Sequence, residues 1–162
     1  MAVAMTLYKA PWSLSVILVT WITTGVLCIG SAVAVTQPFW FIAPLLMAIP
    51  LGAAPFTIRS YTLTTDAILV RRLFWTTRLP LDGLQSAVPD PEAMSHSTRT
   101  AGNGGLFSLT GYFSNPKIGD YRALVMNPKL AVVLKYANEI ILLSPEFPER
   151  FAANLTQRLP KQ

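Results

Sequence analysis

The pattern of apolar and polar positions divides the chain into two unequal parts. Between Ala10 and Ile58 there is no Asp, Glu, Lys, Arg or His, and two long apolar runs fill this segment, at residues 13–35 and 39–57. A membrane-spanning helix needs about 20 mostly apolar residues. The pattern therefore predicts a transmembrane α-hairpin. The adjoining parts are a short N-terminus at residues 1–12 and an external turn at residues 36–38.

The positions of the basic residues predict how this hairpin is oriented. Positively charged residues close to membrane helices tend to stay in the cytoplasm. Lys9 precedes the first apolar run, the turn carries no charge, and four basic residues follow the second run: Arg59, Arg71, Arg72 and Arg78. We therefore expect both termini and the polar part of the chain, residues 58–162, to be cytoplasmic.

A secretory signal peptide is the alternative interpretation of the first apolar run. Ala32-Val33-Ala34 resembles the small-residue cleavage site of such a peptide. Signal cores, however, contain about 7 to 15 apolar residues after a basic start. The first run is longer, and a second apolar run follows it at once, so the hairpin is the favoured interpretation.

The polar part of the chain has the pattern of a small antiparallel sheet followed by a helix. Short β-branched segments such as SYTLT and LAVVLKY alternate with turn residues, and about seven strands are expected. Ser144-Pro145 has the form of a helix N-cap followed by proline. An apolar stripe then recurs every four residues, at Phe147, Phe151, Leu155 and Leu159. The expected fold is α+β, a transmembrane α-hairpin followed by an antiparallel β-sandwich or barrel that a C-terminal α-helix caps.

The stretch AGNGGLFSLTG, which begins at Ala101, raises the question of a phosphate-binding loop. A P-loop requires a Gly-Lys pair, which the chain lacks, and a dinucleotide fingerprint would need glycine in place of Phe107. We therefore expect the glycines to form a sharp corner of the sheet. The glycines concerned are Gly102, Gly104, Gly105 and Gly111. Anion binding by backbone amides of this stretch is the alternative.

Side chains for catalysis or metal binding are scarce. His96 is the only histidine and Cys28 the only cysteine, so neither a disulfide nor a clustered metal site is expected. A hydrolase built around His96 with Asp82 or Asp90 is the remaining enzymatic alternative. No basic stripe is interleaved with exposed aromatic residues, which argues against nucleic acid as a partner. We expect no enzyme, no catalytic residue and no cofactor.

Three stretches carry a resemblance to a known family. They are PFTIRSYTLTTDAILVRRLFWTTRLPLDGL, GNGGLFSLTGYFSNPKIGDYRA and IILLSPEFPERFAANL. Together they resemble the bacterial pleckstrin-homology-like (PH-like) domain family, in the subgroup with an N-terminal two-helix membrane hairpin. The resemblance implies a PH-like fold in a multi-pass protein of the bacterial inner membrane, and it implies no reaction.

Two functional hypotheses follow from the pattern and the resemblance. The first is a membrane-anchored binding module whose basic face contacts anionic lipid headgroups through Arg59, Arg71, Arg72 and Arg78. Each basic residue near an anionic leaflet contributes about 1 kcal/mol, although the same arginines serve equally well as topology signals. The second is an accessory or scaffolding subunit of a membrane complex, with a protein partner bound at a sheet edge or beside the C-terminal helix.

Overall fold

The computed structural model, which describes residues 5–38 and 40–158, contains an N-terminal helical region, a sandwich of two β-sheets and a C-terminal helix. The helices are α1 (Leu14–Val35), α2 (Ile42–Ala53) and α3 (Pro148–Thr156), and short 3₁₀ turns lie at Ala54–Phe56 and Pro128–Leu130. The strands are β1 (Thr6–Lys9), β2 (Ile58–Leu63), β3 (Ala67–Arg72), β4 (Thr76–Pro80), β5 (Leu84–Pro89), β6 (Thr98–Gly104), β7 (Leu109–Asn115), β8 (Gly119–Val125), β9 (Val132–Tyr136) and β10 (Ile140–Leu143).

The two sheets have different topologies. The first sheet has four strands in the order β1-β2-β3-β4, and every neighbouring pair is antiparallel. The second has six strands in the order β5-β9-β10-β8-β7-β6, and its β10–β8 pair is parallel, with Ile141 opposite Arg122. The described residues therefore form ten strands where about seven antiparallel strands were expected. The N-terminal strand β1 and the strand β6 were not predicted.

A strand precedes the first apolar helix. In β1, Tyr8 pairs with Tyr61 of β2 and Lys9 pairs with Ser60. The backbone N–H of Ala10 continues this ladder by donating to the carbonyl oxygen of Arg59 at 3.2 Å. The apolar segment between β1 and β2 therefore begins and ends at neighbouring strands of the first sheet. The segment predicted as a short N-terminus contributes a strand to the sandwich.

The two apolar helices differ in length. α1 is capped by the Ser13 side chain, which accepts from the Val16 N–H at 3.2 Å, and it is long and apolar enough to cross a membrane by length and composition. Only 17% of the most apolar stretch of α1 is buried within the protein, whereas the core helix of a soluble protein is mostly buried. The helical segment of the second run, Ile42–Phe56, is shorter than this criterion requires. The helices contact each other where Ser31 donates to the carbonyl oxygen of Ala43 at 3.1 Å.

The main core lies between the sheets, and α3 closes one side of it. Phe151 and Leu155 of α3 are fully buried against side chains from both sheets, whereas Phe147 is 52% exposed and Leu159 lies outside the described residues. The helix begins at Pro148 and not after Ser144-Pro145 as predicted. Ser144 is fully buried, and its hydroxyl accepts from the backbone N–H groups of Met126 and Asn127 at 2.8 and 3.2 Å. The N-cap prediction was wrong because a tertiary contact recruits this side chain.

A second apolar cluster covers the outer face of the second sheet. Ala93, in the polar connection between β5 and β6, is fully buried there beside Phe113 and Val133. The Asn115 amide holds the connection in place by donating to the carbonyl oxygen of Ser95 at 2.7 Å. This connection therefore has a packing role.

Two glycines allow β6 and β7 to approach closely. Gly102 and Gly111 face each other across the ladder with φ of 101° and 145°. A Cβ at Gly111 would overlap the carbonyl oxygen of Ala101, and a Cβ at Gly102 would overlap that of Thr110. Both positions therefore need glycine for space and for conformation.

We expect Gly111→Ala to destabilise the protein by about 2 kcal/mol, since it adds both steric overlap and an unfavourable φ. Gly119→Ala is the matched control, because Gly119 also has a positive φ of 79° but no heavy atom within 4 Å of its added Cβ. The control is expected to cost about 1 kcal/mol. Chemical unfolding in detergent measures both, and equal losses would contradict the close-approach explanation.

Candidate functional site

A cavity of about 600 Å³ opens between the two sheets. Its walls come from the end of β3, the first part of β4, the interior of β6, β7 and β8, and the end of α2 with the 3₁₀ turn that follows it. The side chains that characterise it are Phe56, Arg72, Trp75, Tyr112 and Arg122. We call it the inter-sheet cavity.

Strand periodicity explains why two arginines face this cavity. Alternate residues of a strand point to the same face of the sheet. Ile68 and Val70 belong to the core between the sheets, and Arg72 continues their series at the end of β3. In β8, Leu124 belongs to the same core, and Arg122 precedes it by two residues. Both arginines therefore occupy inward positions, each two residues from an apolar core residue of its own strand.

Arg72 is buried and held between two aromatic rings. It is only 7% exposed, and its guanidinium carbon lies 5.8 Å from the ring centre of Phe56 and 5.5 Å from that of Trp75. The two rings meet edge to face at 5.2 Å. Cation–π contacts of this kind contribute about 2 kcal/mol when desolvated. The rings thus fix the position of the charge.

Part of the hydrogen-bonding capacity of Arg72 is not used by the described residues. Its Nε and Nη1 atoms are buried and have no hydrogen-bond partner among the described residues. Burial lowers the pKa of the Arg72 guanidinium, and the nearby charge of Arg122 lowers it further. Arginine nevertheless stays charged in proteins. A buried donor without a partner costs about 1 to 3 kcal/mol, so an oxyanion that accepted from this side chain would recover that cost.

The charge balance of the inter-sheet cavity is positive. Arg72 and Arg122 line it, and no carboxylate is present among the described residues that do so. Its other polar groups include Thr77, Asn103 and Thr110, which are neutral hydrogen-bonding side chains. The arrangement is suited to binding an anion, and the described lining residues do not pair a nucleophile with a base.

A family model described as bacterial PH domain matches residues 59–159. The chain belongs to the bacterial PH domain family. This confirms the resemblance inferred from the sequence, and the apolar helix α1 is consistent with a membrane-anchored subgroup. No curated protein and no solved structure gives a significant match to the chain. PH-like domains are generally non-catalytic binding modules, so the bacterial PH domain indicates a binding function.

The four predicted arginines of the bacterial PH domain lie in different environments. Arg59 and Arg71 are exposed near the root of the apolar helices, where Arg71 pairs with Ser60. Arg78 forms an exposed ion pair with Asp66 towards the other end of the first sheet. Arg72 alone of the four lines the inter-sheet cavity.

Sequence reasoning missed Arg122 as a partner of Arg72. A signal was present, because Arg122 stands two residues before the core residue Leu124 in the same strand. The same alternation along a strand identifies Arg72 as an inward residue, because it stands two residues after Val70. That the two strands bring their arginines to one cavity is a property of the tertiary fold.

The glycine-rich stretch of the PH domain contributes to strands as well as to a turn. Gly102 and Gly111 lie within β6 and β7 and line the inter-sheet cavity, and Gly104 ends β6. Gly105 lies in the connection, with φ of 130°. This connection contacts α1, because the Phe107 N–H donates to the Thr20 hydroxyl at 2.9 Å.

The remaining candidate residues are dispersed. His96 is exposed and adopts a positive φ of 60°, and it lines a shallow hollow with Glu92 and Lys117. The Sγ atom of Cys28 in α1 lies 4.0 Å from the Sδ atom of Met47. Among the described residues, no three His, Cys, Asp or Glu side chains are grouped to hold a metal.

Proposed function

We propose that this protein is a membrane-anchored, non-enzymatic PH-like binding module whose domain contacts anionic lipid headgroups at the root of its two apolar helices. The observation that carries this proposal is the pairing of β1 with β2 around the apolar segment. Because both ends of the segment are bound into one sheet, the domain is held directly at the root of the helices. A flexible tether would not fix that orientation.

The surface of the helices supports an anchoring role. Large apolar side chains are exposed on both helices, among them Trp21 at 74%, Ile29 at 68% and Leu45 at 66%. Burying apolar surface stabilises a protein by about 25 cal/mol per Å². Insertion into a bilayer would remove this exposed apolar surface from water. We assign α1 as a membrane span and α2 as the returning arm of the hairpin.

Basic residues at the root of the helices support contact with lipid headgroups. Lys9 and Arg71 both pair with Ser60, from opposite sides, and both are exposed. Directly opposed residues share a face of the sheet, so these two charges lie on the outer face of the first sheet where it meets the apolar helices. With Arg59 they form what we call the basic row, and each charge contributes about 1 kcal/mol near an anionic leaflet.

Extraction of membranes tests the anchor. We expect the full-length protein to remain in the membrane fraction after alkaline carbonate and after high salt, because apolar burial is insensitive to both. Hydrogen exchange in nanodiscs then tests the headgroup contact, with β1 and β3 expected to be protected in phosphatidylglycerol and less so in phosphatidylcholine. Release by carbonate would overturn the anchor, and identical exchange in the two lipids would overturn the headgroup contact.

An exposed edge strand favours a second candidate function, that of an accessory subunit in a membrane complex. β6 (Thr98–Gly104) is almost fully exposed, and within the described chain it pairs with β7 alone. Such an edge accepts an added strand from another protein. A stoichiometric protein partner in a mild-detergent purification, lost after a Thr100→Pro substitution at this edge, would support the subunit role.

A further inference from the structure

We infer that the inter-sheet cavity binds one membrane amphiphile, whose phosphate or carboxylate group is held by Arg72 and Arg122 and whose apolar part lies against Phe56 and Trp75. This binding site is separate from the basic row, which lies on the outer face of the first sheet. The inference rests on the proposed membrane anchor, because the amphiphile enters from the bilayer.

The first argument is the balance of charge and hydrogen bonds. Two guanidinium groups line the cavity without a carboxylate among the described lining residues. Arg72 is more than nine-tenths buried and keeps Nε and Nη1 without partners in the described chain. Charge-assisted hydrogen bonds from arginine to an oxyanion are among the strongest that proteins form. An anion is therefore the ligand that the polar groups of this cavity fit.

The second argument is the apolar part of the wall and its position. Ala53 ends α2 and Phe56 ends the following 3₁₀ turn, and both line the cavity. The cavity is therefore adjacent to the root of the helices, where lipid headgroups lie in the proposed orientation. Phe56 and Trp75 remain 41% and 40% exposed, so the same rings that hold the Arg72 charge also offer an apolar surface. A small soluble anion would leave this surface unused.

The third argument is size. A volume of about 600 Å³ falls within the range of about 300 to 1,000 Å³ that is usual for small-molecule sites. This space accommodates a headgroup and the first part of an acyl chain, and the rest of the chain stays in the bilayer. The cavity thus fits a lipid that is held at its charged end.

The test uses full-length protein in mild detergent, titrated with defined lipids and followed by native mass spectrometry. The probes are dioleoyl phosphatidic acid, oleic acid, dioleoyl phosphatidylcholine and inorganic phosphate. We expect one molecule of an anionic lipid to bind saturably, phosphatidylcholine to bind at least about tenfold more weakly, and inorganic phosphate to compete poorly. Effective competition by inorganic phosphate would overturn the inference in favour of a soluble anion.

Three charge-removing variants separate binding in the cavity from nonspecific surface electrostatics. Arg72→Met and Arg122→Met are expected to weaken anionic lipid binding about tenfold or more, because each removes a charge-assisted donor. Arg150→Met removes the same charge from an exposed position of α3, outside both the cavity and the basic row, and is expected to change binding less than about twofold. Equal losses in all three variants would mean nonspecific surface electrostatics and would overturn the cavity site.

Folding and anchoring are controlled independently. Replacing buried charged groups by apolar side chains of similar volume is often neutral or stabilising. Arg72→Met loses the two cation–π contacts but also removes two buried donors without partners, so the melting temperature is expected to change little. Should it fail to fold, Arg122→Met, at a half-buried position, carries the test alone. Wild-type protein that resists carbonate extraction but binds none of the anionic lipids would overturn the cavity inference and leave the anchor intact, whereas release by carbonate identifies failure of the anchor.

Discussion

Replacing Tyr8 with alanine is expected to destabilise the protein by about 4 kcal/mol and to detach β1 from the first sheet. Tyr8 is only 4% exposed, and its ring meets that of Phe151 edge to face at 5.1 Å. Its hydroxyl accepts from the Asn154 amide at 2.5 Å. A side chain that precedes the apolar helices therefore packs on the C-terminal helix, and its removal leaves a void in the main core.

The measurement is denaturant unfolding of the full-length protein in detergent, with hydrogen exchange across β2. We expect β2 to lose protection in Tyr8→Ala, because the paired strand next to it is released. Tyr8→Phe is expected to cost about 1 kcal/mol, since only the bond to Asn154 is lost. Leu7→Ala is the matched control in the same strand, because Leu7 is 59% exposed, and truncating an exposed side chain usually changes stability by less than about 0.5 kcal/mol.

This experiment decides whether the N-terminal strand is part of the folded unit. A small effect of Tyr8→Ala, or equal effects of Tyr8→Ala and Leu7→Ala, would mean that β1 only rests on the sheet. The argument from strand pairing for a fixed orientation at the membrane would then fail, and the contact of α1 with the β6–β7 connection would have to position the helices. The expected large effect supports a hairpin bound into the sheet at both ends.

Sequence analysis did not predict β1, because the strand is short and its partner is distant along the chain. The segment TLYK is four residues long, too short for a reliable alternation, and the apolar run that follows dominates any pattern around it. Its partner β2 begins only at Ile58, beyond the whole apolar segment. Periodicity reports local structure, so it predicted α1 and the sheet-rich domain but not a strand whose only support is tertiary pairing.

Ser144 illustrates a second limit of local signals. Serine followed by proline is a good N-cap pattern, yet the structure uses this hydroxyl to bind the backbone of Met126 and Asn127. The helix instead starts at a second proline, Pro148. A local motif and a buried contact compete for the same side chain, and only the tertiary fold decides between them.

The inter-sheet cavity shows where sequence reasoning came close. The basic cluster after the apolar segment was recognised, but Arg71 and Arg72 were assigned to one surface although neighbouring strand residues point to opposite faces. The alternation of faces along β3 is enough to separate them, because Arg72 lies on the same face as Ile68 and Val70. Arg72 and Arg122 come together because of how the two sheets are stacked. The pattern along a single strand gives no information about that stacking.

The second large effect expected is a loss of stability in alkali that depends on Tyr61. This side chain is fully buried between the sheets, where its hydroxyl donates to the carbonyl oxygen of Leu124 at 2.7 Å and accepts from the Ser144 N–H at 3.3 Å. Burial raises the pKa of Tyr61 to about 12, although hydrogen bonds with Ser144 oppose the shift. The native state therefore keeps this proton at pH values where an exposed tyrosine loses it.

The sign of the pH dependence follows from this difference in proton binding. In the unfolded chain Tyr61 titrates near pH 10, so between pH 10 and pH 12 the unfolded state binds fewer protons than the native state. Unfolding is then increasingly favoured as the pH rises. One pKa unit corresponds to 1.36 kcal/mol, so the contribution of Tyr61 is fully present below pH 10, and about 3 kcal/mol in total is lost as the pH rises through 12.

Comparison with Tyr61→Phe isolates this contribution. At neutral pH the variant is expected to be about 1 to 3 kcal/mol less stable, because the Ser144 N–H and the Leu124 carbonyl lose a buried partner. The difference between wild type and variant should stay constant below pH 10 and shrink by about 3 kcal/mol as the pH rises through 12. Lysines and other exposed groups titrate equally in both proteins and cancel from the difference.

Tyr136 is the necessary second comparison. Burial, and then the charge of Glu139, also raise the pKa of Tyr136 to about 12, and its hydroxyl donates to the carbonyl oxygen of Pro80 at 2.9 Å. It lies at the margin of the core and is only partly buried, so water screens its charge more effectively. A larger alkaline effect is therefore expected from Tyr61→Phe than from Tyr136→Phe. The reverse order would mean that the contact between the sheets at Tyr61 opens before the protein unfolds, and the two sheets would then have to be treated as separate cooperative units.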